Sequence, residues 1–126
     1  MHLALLRSGD SDTLPAYLYF GHSESTNNIL AALGLYRDPS PLLASQWPTE
    51  DHEWKTSKIL SFSHNLALVA MQCENTAEPL NILAFHQEKS VVIPACGEEL
   101  CPLQKFLDSI QDIVEVDFDD VCKYDA

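Results

Sequence analysis

The sequence predicts an α/β domain, and three observations carry that prediction. An apolar run over residues 14–20 ends at Gly21 and gives way at once to an amphipathic segment, a pattern of strand, tight turn and helix. Apolar stretches short enough for strands recur at 65–73, 80–86 and 91–93. Behind Pro102, Leu103, Phe106, Leu107 and Ile110 fall at helical spacing and close the pattern. A helix after a buried strand, then antiparallel strands and a covering helix, belongs to the α/β class.

In order along the chain, residues 1–6 read as the tail of a preceding helix or a loose end, and Arg7 to Asp12 as a turn-rich loop. Residues 14–20 carry apolar or aromatic groups on both faces, as a central parallel strand requires. The helix that follows is expected over 26–35. Ile29, Leu30 and Leu33 form its buried stripe, Ser23 or Ser25 its cap, and Gly34 its stop. Asp38-Pro39-Ser40-Pro41 opens an irregular stretch with a turn of helix at 42–45, broken at Trp47-Pro48. Residues 54–59 read as loop or short helix. The polar Gln87-Glu88-Lys89 joins the last two strands as a β-hairpin.

With 126 residues and 46% hydrophobic content, the chain has room for one core, and residues 1–126 show no repeat or linker. No apolar run approaches the ~18–20 residues of a membrane span. The apolar stretch at the start is too short for a signal peptide, and Arg7 lies on its wrong side. Nineteen acids against seven bases give a formal charge of -12, which argues against nucleic acid as a partner. The same charge opposes a polyanionic substrate. Either other polypeptide supplies the cations, or this segment binds no such substrate by itself. Glu98 and Glu99 flank a cysteine loop. Asp117, Asp119, Asp120 and Asp125 alternate with Val114, Val116, Phe118 and Val121, as on a solvated edge.

Cys73, Cys96, Cys101 and Cys122 lack paired Cys-x-x-Cys spacing, and no His stands beside them at ligand distance, so no metal site is expected. Buried free thiols are one reading. A local disulfide across Cys96-Gly97-Glu98-Glu99-Leu100-Cys101 is the other, with Gly97 permitting the bend.

The candidate site is Tyr19-Phe20-Gly21-His22-Ser23-Glu24. Open α/β sheets place ligands at the carboxyl ends of their strands, and a helix amino terminus there attracts anions. A histidine and a carboxylic acid two residues apart can hold a phosphate and protonate its leaving group. Each residue also has a structural reading: His22 bonded to a backbone carbonyl, and Glu24 as a first-turn acid favoured by the helix dipole.

This hexapeptide, with Leu30-Ala31-Ala32-Leu33-Gly34-Leu35 behind it, resembles the second active-site motif of histidine acid phosphatases. The nearest branch is the multiple inositol polyphosphate phosphatases, whose motif reads His-Ala-Glu where this chain has His22-Ser23-Glu24. The resemblance continues through Trp54-Lys55-Thr56-Ser57, Ser63-His64-Asn65-Leu66 and the run from Leu100 to Leu107. It implies an α/β sandwich of which residues 1–126 are the carboxy-terminal portion. The implied activity is hydrolysis of phosphomonoesters on inositol polyphosphates such as phytate, and of bisphosphoglycerate, without cofactor. His22 would bind the phosphate and the phosphohistidine intermediate. Glu24 would be the general acid, which needs an acidic optimum or a raised pKa. The resemblance also favours the Cys96–Cys101 bridge, leaves Cys73–Cys122 as a guess, and implies an endoplasmic-reticulum or secreted address.

One part of the family pattern is absent. The nucleophilic histidine of the family lies in Arg-His-Gly-x-Arg-x-Pro, and neither Arg7 nor Arg37 adjoins a His-Gly. His2 is outside any such context, His52 reads as part of a solvated loop, His64 as structural, and His86 as a strand end facing solvent. Without the motif's arginines a phosphorane-like transition state lacks its main charge stabilisation. Ser23 or Ser25 with His22 lacks a Gly-x-Ser-x-Gly elbow, Cys101 lacks a neighbouring cation, and pairing Glu24 with an Asp for glycoside hydrolysis is unconstrained. The expected arrangement is therefore an amino-terminal portion that carries the nucleophile. The rival is a non-catalytic interaction module.

Overall fold

The computed structural model describes residues 16–46, 51–74 and 78–123. The expected tail at 1–6, the loop from Arg7 to Asp12, the start of the first strand and the Trp47-Pro48 break lie outside them. The elements are α1 (Ser23–Ala32), a 3-10 turn (Ala44–Gln46), α2 (Thr56–Ile59), β1 (Leu66–Gln72), β2 (Leu80–His86), β3 (Lys89–Val91), β4 (Leu100–Pro102), α3 (Leu103–Val114) and α4 (Phe118–Val121).

The sheet is built around β2. On one side β1 runs antiparallel to its full length, from Leu66 opposite His86 to Gln72 opposite Leu80. On the other side β3 pairs with the end of β2 and β4 with its start, Cys101 standing opposite Ile82. The three-residue β4 has no counterpart among the expected strands, because Leu100-Cys101-Pro102 is too short to show a period. β3 begins two residues before the expected 91–93. Every pairing among the described strands is antiparallel.

Alternation along β2 sends Ile82 and Ala84 into one core with Leu30, Leu33 and Leu35 of the α1 end, and with Phe106 and Ile110 of α3. Phe106 and Leu30 are 1% and 0% exposed. Each such side chain contributes roughly 1.5–3 kcal/mol by leaving water. Leu103 and Leu107 pack against the same cluster, so the expected apolar face of the closing helix is formed as read. Ile29, in contrast, is exposed, and the stripe of α1 is Leu30 with Leu33.

Gly34 stops α1 as expected. Leu35 N–H donates to Leu30 O and Gly34 N–H to Ala31 O, both at 3.0 Å. Gly34 takes a φ of 71°, and Leu30 and Leu35 close over it. These are the bonds and the apolar contact of a Schellman stop, which needs a left-handed residue at this point. The other end departs from expectation. α1 starts at Ser23, not near 26, and its N-cap is His22 without a side-chain cap bond. Neither Ser23 nor Ser25 can cap, because both lie inside the helix, where Ser25 N–H donates to His22 O at 3.1 Å.

The β2–β3 hairpin turns through Gln87 and Glu88, with φ of 50° and 66°. Positive φ at both positions fits the strand twist but disfavours residues with a Cβ. Side-chain bonds offset that strain. The Gln87 amide donates to Lys58 O at 2.9 Å and Ile59 O at 3.1 Å, and its carbonyl accepts from Ser61 Oγ at 2.7 Å. Asn65 Nδ2 donates to Glu88 at 3.0 Å. The turn thereby ties α2 to the sheet.

The largest correction concerns the expected central strand. Residues 16–20 form no strand, and Phe20 is 94% exposed. A parallel strand needs a neighbour to take its amides, and none of the described strands pairs with this segment.

Candidate functional site

His22 and Glu24 both belong to the start of α1, His22 as the extended N-cap (φ -90°, ψ 169°) and Glu24 as the second residue of the first turn. Both side chains are exposed. The four leading N–H groups of a helix have no partner within it, so this end carries partial positive charge beside His22. Gly21 packs closely on the first turn, since a Cβ there would stand 3.3 Å from Ser25 Oγ. The expected helix half of the site is present. The strand half, which would have set His22 at a strand's carboxyl end, is not formed.

A cleft of about 670 Å³ lies at the opposite end of α1, lined by Gly34, Tyr36, Arg37, Asp38, Val91 and Pro94 among others. Neither His22 nor Glu24 lines it. Asp38 fastens its rim. The carboxylate accepts Glu53 N–H at 2.7 Å and Trp54 N–H at 3.1 Å. The Glu53 amide bond is the leading cause that holds the Asp38 carboxyl below its usual range, with the Trp54 amide, His52 and Lys55 acting the same way.

His86 reverses the sequence expectation. It is 2% exposed and not solvent-facing, because it shares the buried face of β2 with Ile82 and Ala84. Its Nδ1 lies 2.6 Å from the Tyr36 hydroxyl. Tyr36 itself takes a left-handed φ of 57°, so the pair links the strained residue after the α1 stop to the sheet. Burial raises the Tyr36 pKa, which keeps the phenol protonated and able to donate to His86. Parity was the signal that the sequence offered: positions 82, 84 and 86 point to one side, and two of them are apolar.

Burial, the leading cause, also pushes the His86 imidazole below its ordinary 6.5; the Ile59 carbonyl opposes that and the His64 ring adds to it. The neutral ring is thus favoured by the fold. Well above pH 6.5 the folded and unfolded states are both neutral there, and stability is independent of this group. As pH falls below that value the unfolded chain takes up a proton that the folded chain resists, and stability declines until the folded pKa is reached. Denaturant titrations between pH 8 and 5 should therefore show an acid loss from this group, with a slope no steeper than about 1.4 kcal/mol per pH unit. His86→Phe should lack that component; equal slopes in both proteins would contradict the assignment.

The other expectations resolve individually. Cys96 and Cys101 are bridged, with Cα atoms 5.3 Å apart and both residues buried. Gly97, at φ 78°, makes the bend between them. No bond joins Cys73 to Cys122: Cys73 closes β1, its N–H on Pro79 O at 2.7 Å, and Cys122 follows α4 in an exposed stretch. His64 is structural as read, its ring N–H donating to Ser61 O at 2.8 Å. His52 is half-buried next to the Asp38 carboxylate, not fully solvated. Among the described residues no group of three or more His, Cys, Asp or Glu is placed to hold a metal ion, and no helix is long and apolar enough to cross a membrane.

Comparison with known proteins gives one consistent result. The chain is 34% identical over 91 residues to multiple inositol polyphosphate phosphatase 1 of Dictyostelium discoideum, a match that covers 71% of this chain and 14% of that protein. Against the protein of the same name in Drosophila melanogaster it is 27% identical over 100 residues, 79% of this chain and 21% of the relative. The Gallus gallus protein of that name matches 121 residues at 24% identity, 93% of this chain and 27% of the relative. No protein-family model matches, and no solved structure does so at a significant level. The chain spans between about a seventh and about a quarter of the length of these relatives. The resemblance read from the motifs is therefore shared sequence, and the chain is related to the multiple inositol polyphosphate phosphatases over part of their length.

Proposed function

We propose that these residues are the carboxy-terminal portion of a phosphatase domain that hydrolyses inositol polyphosphates through a phosphohistidine intermediate. Its nucleophile lies in polypeptide outside the 126 residues. The observation that carries this reading is the exposed His22–Glu24 pair at the amino terminus of a helix anchored at its other end. Helix-end amides and His22 bind the transferred phosphate, and Glu24 protonates the leaving inositol oxygen. It then activates the water that cleaves the phosphohistidine. The disulfide between Cys96 and Cys101 supports a luminal or secreted address, where such bonds persist.

The purified chain alone should release no phosphate from phytate or nitrophenyl phosphate above blank. The same residues, grafted in place of the matched segment of the Dictyostelium relative, should give turnover that His22→Ala abolishes. A folded graft without turnover, or a chain active by itself, would rule the reading out.

A further inference from the structure

We infer that the hydrogen bond between Tyr36 and His86 is an acid-released latch that fastens the carboxyl end of α1 to the end of β2. The latch is independent of the roles proposed for His22 and Glu24. It reaches beyond the acid loss of global stability described above, because its surroundings let one region open while the core stays folded.

The Tyr36 hydroxyl lies 2.6 Å from His86 Nδ1. A hydroxyl that donates there puts the proton of the neutral ring on Nε2. Nε2 is buried and has no hydrogen-bond partner. The site thus suits the neutral ring and holds no acceptor ready for an imidazolium. Tyr36 also keeps a φ of 57°, which a bulky residue does only while its surroundings fix it. It stands at a boundary as well. Before it, Leu30, Leu33 and Leu35 are packed with Phe106; after it, Arg37 and Pro39 are exposed, and Tyr36 itself lines the cleft of about 670 Å³.

The titratable and charged groups around the ring are Tyr36 from the α1 stop, His64 from the turn before β1, and Lys89, opposite His86 on β3. Both bases oppose a further positive charge. The neighbouring Glu88 carboxylate accepts from Asn65 Nδ2 at 3.0 Å. From α2 the Ile59 carbonyl favours the charged ring but makes no hydrogen bond to Nε2. A proton on Nδ1 turns that atom from acceptor to donor, ends the bond from the Tyr36 O–H, and leaves a buried charge that water must solvate. The ring then swings out, Tyr36 leaves its left-handed conformation, and the α1 stop opens while Leu30 and Leu33 stay seated.

Amide exchange in the 126-residue chain at pH 7.5 and 5.5, corrected for intrinsic rates and repeated in low urea, tests this. The Leu35 amide, bonded to Leu30 O, reports the latch, and the Ile110 amide of α3 reports global unfolding. An open-state imidazole of ordinary pKa, about 6.5, makes Leu35 opening rise by up to about tenfold between the two pH values. That opening should be nearly independent of urea, whereas Ile110 exchange should be steeply urea-dependent. His86→Leu should remove the acid rise at Leu35, and His64→Gln should keep it. Tyr36→Phe retains the ring without the hydroxyl and should open Leu35 more already at pH 7.5. The latch is overturned if Leu35 opening does not respond to pH, if Leu35 shares the urea dependence of Ile110, if the acid rise survives His86→Leu, or if Tyr36→Phe leaves Leu35 opening at pH 7.5 unchanged.

Discussion

If the proposed function holds, Glu24→Gln in a polypeptide that completes the phosphatase around these residues should lower turnover of inositol phosphates by about 10²–10⁴-fold, the usual worth of general acid–base assistance. The substitution keeps the size and hydrogen-bonding reach of the side chain and removes only the transferable proton. An inositol alkoxide is a poor leaving group and needs that proton as the P–O bond breaks. Nitrophenolate does not, so phosphoryl transfer from nitrophenyl phosphate should fall much less. His22→Ala acts on the phosphate common to both substrates and should impair both. Steady-state rates on the two substrates distinguish these outcomes. Small, equal losses for both in Glu24→Gln would leave Glu24 as a first-turn acid at the α1 dipole, and the mechanism would need another proton donor.

The parts of this fold that are legible in the sequence are those fixed by local chemistry. Gly34 ends α1 because a left-handed residue is required there. Leu103, Phe106 and Ile110 show the face of α3 because the helix period writes it directly into the chain. β2 runs from Leu80 to His86, the residues that the apolar run marks. What the sequence does not reveal depends on partners distant along the chain. β4 exists because Cys101 reaches Ile82 across the sheet, and three residues carry no period of their own. Ser23 and Ser25 are good caps by propensity, yet His22 takes the position because α1 begins a turn earlier.

The same division governs the site. The placement of His22 and Glu24 at a helix start is readable because two adjoining local signals, a glycine turn and a helix start, mark it. The strand before them is a non-local feature. Residues 14–20 have the composition of a central strand, but a strand exists only when a neighbour accepts its hydrogen bonds. His86 illustrates the reverse case: a titratable residue looks solvent-facing when read alone and is buried once β2 alternation and Tyr36 are considered together.

Phe106→Ala should cost the isolated chain about 3–5 kcal/mol, the range for emptying a fully buried aromatic site. That is at least a fifth of the roughly 5–15 kcal/mol that ordinarily separates a folded domain from its unfolded state. Phe106 lies in the cluster that holds Leu30 and Leu33 against Ile82 and Ala84, next to the disulfide. α3 covers this side of the sheet through Phe106 and Ile110, so neighbouring side chains cannot collapse into the space without shifting the helix. Ile113, on the same helix, is 51% exposed, and Ile113→Ala should change stability by no more than about 0.5 kcal/mol. Urea unfolding of the two variants with the disulfide intact measures the contrast, and an unchanged m-value licenses the comparison. Because α1 rests on the same cluster, Phe106→Ala should also speed amide exchange at Leu33 and Leu35, loosening the seat of the helix that presents His22 and Glu24. A loss below about 1 kcal/mol, or one equal to that of Ile113→Ala, would mean that Phe106 is not the residue that fastens α1 and α3 to the sheet.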